Sequence, residues 1–284
     1  MKLVARRIEK IIEPQAVVEG AGVRLKRSIG TQTLDYLDPF LLLDHFESRD
    51  RRDYEAGFPL HPHRGIETVT YVLGGVVRHK DTLGNAGTIG SGDVQWMTAG
   101  RGIMHEEMPQ VRPEGIAGFQ LWVNLPANLK MAAPRYQNIL ATEIPEIKRE
   151  NGTAIRLITG EIEGTRGPVS GIAANPIYMD VSVPTRNTFI QSIDSSSTAF
   201  AYLFQGAAMF PGGNGTEKLV SAPRLVVLGP GDFLEVTTKE SPARFLLVSG
   251  KPLGEPVARY GPFVMNTREE IEQALRDLRQ GTFV

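Results

Sequence analysis

The chain of 284 residues contains no cysteine. Disulfides, thiolate nucleophiles and cysteine-based zinc sites are thereby excluded, so any bound metal must be held by His, Asp or Glu. No stretch approaches the ~18 consecutive apolar residues that a membrane-spanning helix needs. Residues 1–9 are charged and lack the apolar centre of a signal peptide. No membrane partner is expected, and the expected location is cytoplasmic. Charge of one sign is also missing: 31 Lys and Arg face 32 Asp and Glu, a formal net charge of -1. A dedicated nucleic-acid binder would carry a basic excess, so no direct nucleic-acid contact is expected. Histidine is absent beyond residue 105. All five lie within the first 105 residues, at His45, His61, His63, His79 and His105.

What is present points to a packed, strand-rich protein. Hydrophobic residues make up 41% and charged residues 22%, enough for a core and unlike a disordered chain. At ~150 residues per domain, the length favours two domains. Thirty glycines and 19 prolines break the sequence into short runs rich in β-branched and aromatic residues. Residues 68–73 (TVTYVL), 119–123 (FQLWV), 178–183 (YMDVSV) and 244–248 (RFLLV) are examples. Many short strands between turn signals predict a sandwich or barrel rather than βαβ units. One helix is predicted near the end. Asn266 or Thr267 can cap it, Thr267 and Glu270 fit a capping box, and Ile271, Ala274, Leu275 and Leu278 form one apolar stripe before Gly281.

A weak internal repeat supports two similar halves. Tyr71-Val72-Leu73-Gly74-Gly75 is echoed by Tyr202-Leu203-Phe204-Gln205-Gly206, and Gly90-Ser91-Gly92-Asp93 by Gly229-Pro230-Gly231-Asp232. The Gly- and Pro-rich stretch over residues 152–175 carries the connection in this reading. By the two offsets, His61 and His63 correspond to Ser192 and Asp194, and His105 and Glu107 to Arg244 and Leu246. No second metal site is expected.

The histidine pattern carries the chemistry. His61 and His63 stand at i, i+2, so on a strand both side chains face one way. Glu67 keeps the same parity, and His105 with Glu107 makes a second i, i+2 pair. Two strands inside a barrel would bring three imidazoles and a carboxylate to one point, a donor set that suits Fe, Mn, Ni, Cu or Zn. Among the remaining candidates, His79 lies in a polar stretch and is expected to be solvated, while His45 is expected to be a core or rim histidine. Trp96 and Trp122 are read as core residues without chemistry. Arg101 could touch a substrate or cap a carboxylate.

His61, His63, Glu67 and Gly74 match the spacing of the first cupin motif. Residues 61–71 (HPHRGIETVTY) and 95–109 (QWMTAGRGIMHEEMP) then resemble the signatures of the pirin family, with further likeness at residues 37–42, 121–126 and 261–267. The resemblance implies an all-β bicupin, with two tandem antiparallel jelly-roll barrels and a short C-terminal helix. It implies an N-terminal metal-binding cupin over residues 1–150 and a C-terminal cupin without metal over residues 151–284. The ligands carried over by motif are His61, His63, His105 and Glu107; Glu67 is the rival carboxylate and is otherwise expected to orient a ligand histidine. One divalent metal is expected, iron first, with Mn, Ni, Cu or Zn also accepted. The implied activity is that of a quercetin 2,3-dioxygenase, an O2-dependent oxidoreductase that opens the flavonol ring with Glu107 as catalytic base. The alternative is a non-enzymatic, metal-dependent module that regulates a protein partner, a transcription factor or a metabolic enzyme.

Overall fold

The computed structural model describes residues 3–284. They form two compact units, each assembled from two separate stretches of chain. The first barrel comprises Gln15–Ala141 with Leu253–Val284, and the second comprises residues 3–14 with Thr142–Pro252. These units depart from a single cut at residue 150. Strand Ile8–Ile12 pairs with Arg224–Leu228, which ties the first residues to the second barrel. The segment after residue 252 packs instead with the first.

In the first barrel, a seven-stranded sheet runs in the order Arg135–Ile139, Val94–Thr98, Ile66–Gly74, Ile116–Asn124, Phe40–Ser48, Val23–Ile29 and Gln15–Glu19. A four-stranded sheet, Phe58–His63, Ile103–Pro109, Val77–Asp81 and Ala86–Ile89, supplies the other wall. Neighbouring strands in both sheets are antiparallel. The period-2 rule decides what faces inward. Strand Val77–Asp81 buries Val77, His79 and Asp81 and exposes Arg78 and Lys80. Strand Ile103–Pro109 buries Ile103, His105 and Glu107.

Helix α1, Arg268–Gln280, belongs to this barrel. Thr267 and Glu270 form the reciprocal capping box, and Gly281 closes the helix in the left-handed conformation at φ 71°. Ile271 and Ala274 pack into a small cluster with Phe263, Met265 and Phe283. An apolar-to-polar exchange on that stripe would leave the cluster open to water.

The second barrel has the same kind of strand plan. Its longest strand, Thr198–Pro211, pairs over its first half with Arg224–Leu228 and Ala243–Gly250, then with Glu217–Ser221 and Phe233–Thr237. Its interior is mostly apolar. Phe189, Phe210, Leu234, Val236 and Phe245 are all fully buried there, and Phe245 meets Phe189 and Phe210 edge-on at 5.5 and 6.3 Å. Each such side chain contributes about 1.5–3 kcal/mol through burial.

Strand pairing corrects the correspondence drawn from constant offsets. Phe58–His63 pairs with Ile103–Pro109, and in the second barrel Thr188–Ser192 pairs with Phe233–Thr237. The counterparts of the two His-bearing strands are therefore these, and Arg244 and Leu246 lie on a different strand. The inward positions on Thr188–Ser192 are Phe189 and Gln191, whereas Ser192 faces out. On Phe233–Thr237 they are Leu234 and Val236. The halves differ in loop length, so one offset cannot serve every strand.

Candidate metal centre

Three imidazoles meet inside the first barrel. His61 and His63 sit on strand Phe58–His63, and His105 lies directly opposite His61 on the neighbouring strand. Their ligand atoms all fall within 4.8 Å of one another, with ring centroids 4.5–5.1 Å apart. His61 Nδ1 lies 2.9 Å from the Pro59 carbonyl oxygen. Donation there fixes the tautomer and leaves the Nε2 lone pair for the cluster. His61 Nε2 and His63 Nε2 are 3.0 Å apart.

The electrostatics favour neutral rings at His63 and His105. Burial, then the neighbouring imidazoles, pushes His63 and His105 well below the ordinary histidine value. Both nitrogens of His105 are buried without a hydrogen-bond partner within the protein. An unmet buried donor or acceptor is costly, and a cation between the three rings would engage one nitrogen of each. The donor set therefore fits a divalent transition ion.

Glu107 shares the cavity with His61 and His63 but is not within the 4.8 Å imidazole cluster. Its carboxyl is 7% exposed, and burial raises its pKa more than His61 and the Thr70 hydrogen bond lower it. Thr70 Oγ1 lies 2.9 Å from Glu107 Oε1 and 2.7 Å from Gln120 Oε1. The hydroxyl has one proton and donates to one of them at a time. Glu67 lies elsewhere. It accepts from Thr98 Oγ1 at 2.8 Å, and burial pushes its pKa up to about 6. That hydrogen bond goes to a threonine, not to an imidazole.

Two turns set the ligand strands, and both depend on glycine. Gly65 (φ 79°) follows His63, and Gly102 (φ 147°) precedes Ile103. A Cβ at Gly65 would collide with the Val264 carbonyl and one at Gly102 with the Phe283 carbonyl. Polar contacts hold the same region. Lys130 Nζ, 1% exposed, donates to Gly65 O, Asn124 Oδ1 and Val264 O at 2.8–2.9 Å. Buried Arg64 pairs with Asp277 at 2.6 Å and stacks 4.4 Å over the Phe283 ring.

The remaining expectations divide. His45 is a core histidine, stacked on Phe119 at 4.8 Å, with its pKa pushed down to about 4 by burial. His79 is not solvated. It is 3% exposed, packs 5.8 Å from the Tyr136 ring and stands opposite Gly87, whose missing side chain leaves room for it. Trp96 is buried in the core. Trp122, also expected in the core, is part of the cavity wall and meets His63 edge-on at 5.1 Å. Arg101 is exposed and does not line the cavity.

The cavity is about 570 Å³, within the usual range for small-molecule sites. Leu25, Leu42, Phe46, Phe58, Ile116 and Trp122 give it apolar walls; His61, His63, Thr70, Glu107 and Gln120 supply polar groups, and Glu19, Arg27, Asp44 and Arg259 supply charge. Thr70 and Gln120 escaped the sequence reading. They are cross-strand partners, and register of that kind leaves no mark in the sequence of either strand.

Comparison with known proteins decides the family. The family model described as pirin matches residues 22–123, and the pirin C-terminal cupin domain matches residues 178–284. The chain belongs to the pirin family. A pirin-like protein of Caulobacter vibrioides is 45% identical over 279 residues, covering 98% of this chain and 99% of its own. The crystal structure of a quercetin 2,3-dioxygenase from Acinetobacter baumannii aligns with a TM-score of 0.87 at 33% identity, covering 98% of each chain. The Escherichia coli pirin YhhW, solved in complex with nickel(II), aligns with a TM-score of 0.64 over 86% of this chain and 99% of its own; at 18% identity that likeness concerns the fold. The bicupin architecture and the histidine cluster of this pirin together mark a metal site. No helix of the described residues is long and apolar enough to cross a membrane.

Proposed function

We propose that this pirin is a metal-dependent dioxygenase that opens the ring of flavonols with O2, in the manner of a quercetin 2,3-dioxygenase. The observation that carries the reading is the convergence of three imidazoles, two of which line a cavity large enough for a flat, polycyclic ligand. Residues His61, His63, His105 and Glu107 are the proposed ligand set, and iron is the proposed metal. When bound, such an ion supplies Lewis acidity and redox access to O2.

The chain's own groups do the rest. The apolar walls keep bulk water from the reacting ring. Glu107 Oε takes the proton of the substrate's 3-hydroxyl. Its buried setting raises its proton affinity, which strengthens it as a base, and the Thr70 hydroxyl holds the carboxyl in place. The regulatory alternative needs an exposed patch beside the metal and tolerates a narrow pocket, so a cavity of this size favours the enzyme.

The test is O2 uptake by iron-reconstituted protein with quercetin, using His61→Ala as control. Uptake that disappears in the variant supports the reading. Absence of uptake with Fe, Mn, Ni and Cu alike overturns it.

A further inference from the structure

Across the sheet from Thr70, past Gln120 on the next strand, the cavity wall carries charge at Asp44 and Arg27, and its two arginines, Arg27 and Arg259, are used differently. Arg27 is saturated. Its Nε and Nη2 grip both Asp44 oxygens at 2.8 and 2.7 Å, and Nη1 reaches Glu19 at 2.7 Å. Arg259 has no such partner. Among the described residues no carboxylate lies within 4.0 Å of it, although Asp35, Asp44 and Glu19 are close enough to act on its charge. Its one hydrogen bond, to Leu41 O, is long at 3.3 Å.

The position of Arg259 is nevertheless fixed. The guanidinium carbon lies 5.2 Å from the Trp122 ring centre, a cation–π contact that orients the planar head. Trp122 is the same indole that meets His63 edge-on. Arg259 and the imidazole cluster thus flank one aromatic wall. A flat ligand with one end at the imidazoles would run along Trp122 and bring its far end to Arg259. Most of the guanidinium N–H donors remain available there, in a planar fork that matches a carboxylate or phenolate.

We infer that Arg259 is a specificity determinant: it selects flat aromatic ligands that chelate at one end and carry an anionic oxygen at the other. This deepens the flavonol reading and rests on it for the orientation of the ligand. Arg259 is exposed at the cavity wall, so its replacement leaves the core intact.

The test measures binding without turnover. Dissociation constants are taken from tryptophan quenching of iron(II)-loaded protein under argon, at mildly alkaline pH, for quercetin and for 3-hydroxyflavone. The two share the chelating oxygens, but 3-hydroxyflavone lacks the other phenols. Arg259→Gln is expected to weaken quercetin by about tenfold or more, the scale of one lost charge-assisted hydrogen bond, and to leave 3-hydroxyflavone unchanged. Arg259→Lys, which keeps the charge without the fork, should fall between. Equal weakening of both ligands, no weakening of either, or no binding by the parent protein overturns the inference. O2 uptake is read separately. Selective loss of quercetin binding without any uptake sinks the dioxygenase and leaves Arg259 standing, while uptake with unselective binding does the reverse.

Discussion

The two barrels are built on similar strand plans and filled in opposite ways. Where the first presents His61, His63 and His105 inward, the corresponding strands of the second present Phe189, Leu234 and Val236. One interior is a cavity with unmet polar atoms; the other is close-packed with edge-on phenylalanines. A β-barrel holds its shape through backbone pairing and outer packing, so the inward positions can serve either stability or chemistry. Here the second barrel uses most of those positions for packing, while the first places polar groups there.

The sharpest way to break this contrast is to remove one imidazole. His105→Ala should take metal content from about one ion per chain to near zero, read by elemental analysis, because three imidazole donors become two. A variant that keeps a full equivalent would show that the cluster is not the site. Next comes Glu107→Gln. Metal is expected to stay largely bound while turnover of quercetin falls by about 10²–10⁴-fold, the range for loss of a general base. Unchanged turnover would remove Glu107 from the chemistry.

The second barrel is tested by Phe210→Ala. Unfolding by denaturant should register a loss of about 3–5 kcal/mol from the packed interior, with metal content untouched. Coupled loss of metal would show that the barrels do not divide the tasks. The smallest effect concerns Lys130. Burial lowers its pKa to about 8, against about 10.4 in an unfolded chain. Between those values the unfolded chain holds a proton that the folded chain has released, so stability rises as pH climbs through the window. Below the window both states are charged and the burial penalty is fully present. Lys130→Met should flatten this rise in stability curves from pH 8 upward; an unaltered slope would assign it to another group.

Much of the first barrel's site was legible because its signals are local. The i, i+2 pairs encode a shared strand face in two residues each, and the helix declares itself through Thr267, Glu270 and Gly281 over one short segment. Non-local facts were not legible. His79 reads as polar because Arg78 and Lys80 flank it, yet strand alternation turns it inward, and the space it occupies comes from Gly87 on the next strand. Trp122 reads as core until the cavity beside it is seen. Thr70 and Gln120 meet through register, and Arg259 joins the cavity from more than a hundred residues beyond Trp122. The boundary between the units is hidden for the same reason: strand Ile8–Ile12 pairs across more than two hundred residues.

The interleaved chain has a consequence for biosynthesis. The ligand turn of the first barrel is braced by Arg64 to Asp277 and by Lys130 to Val264, contacts spanning 213 and 134 residues. During translation, residues 142–252 leave the ribosome before these braces exist. The metal barrel is therefore begun first and finished last, and its ligand strands wait on a strut that arrives only after the whole second barrel has been made.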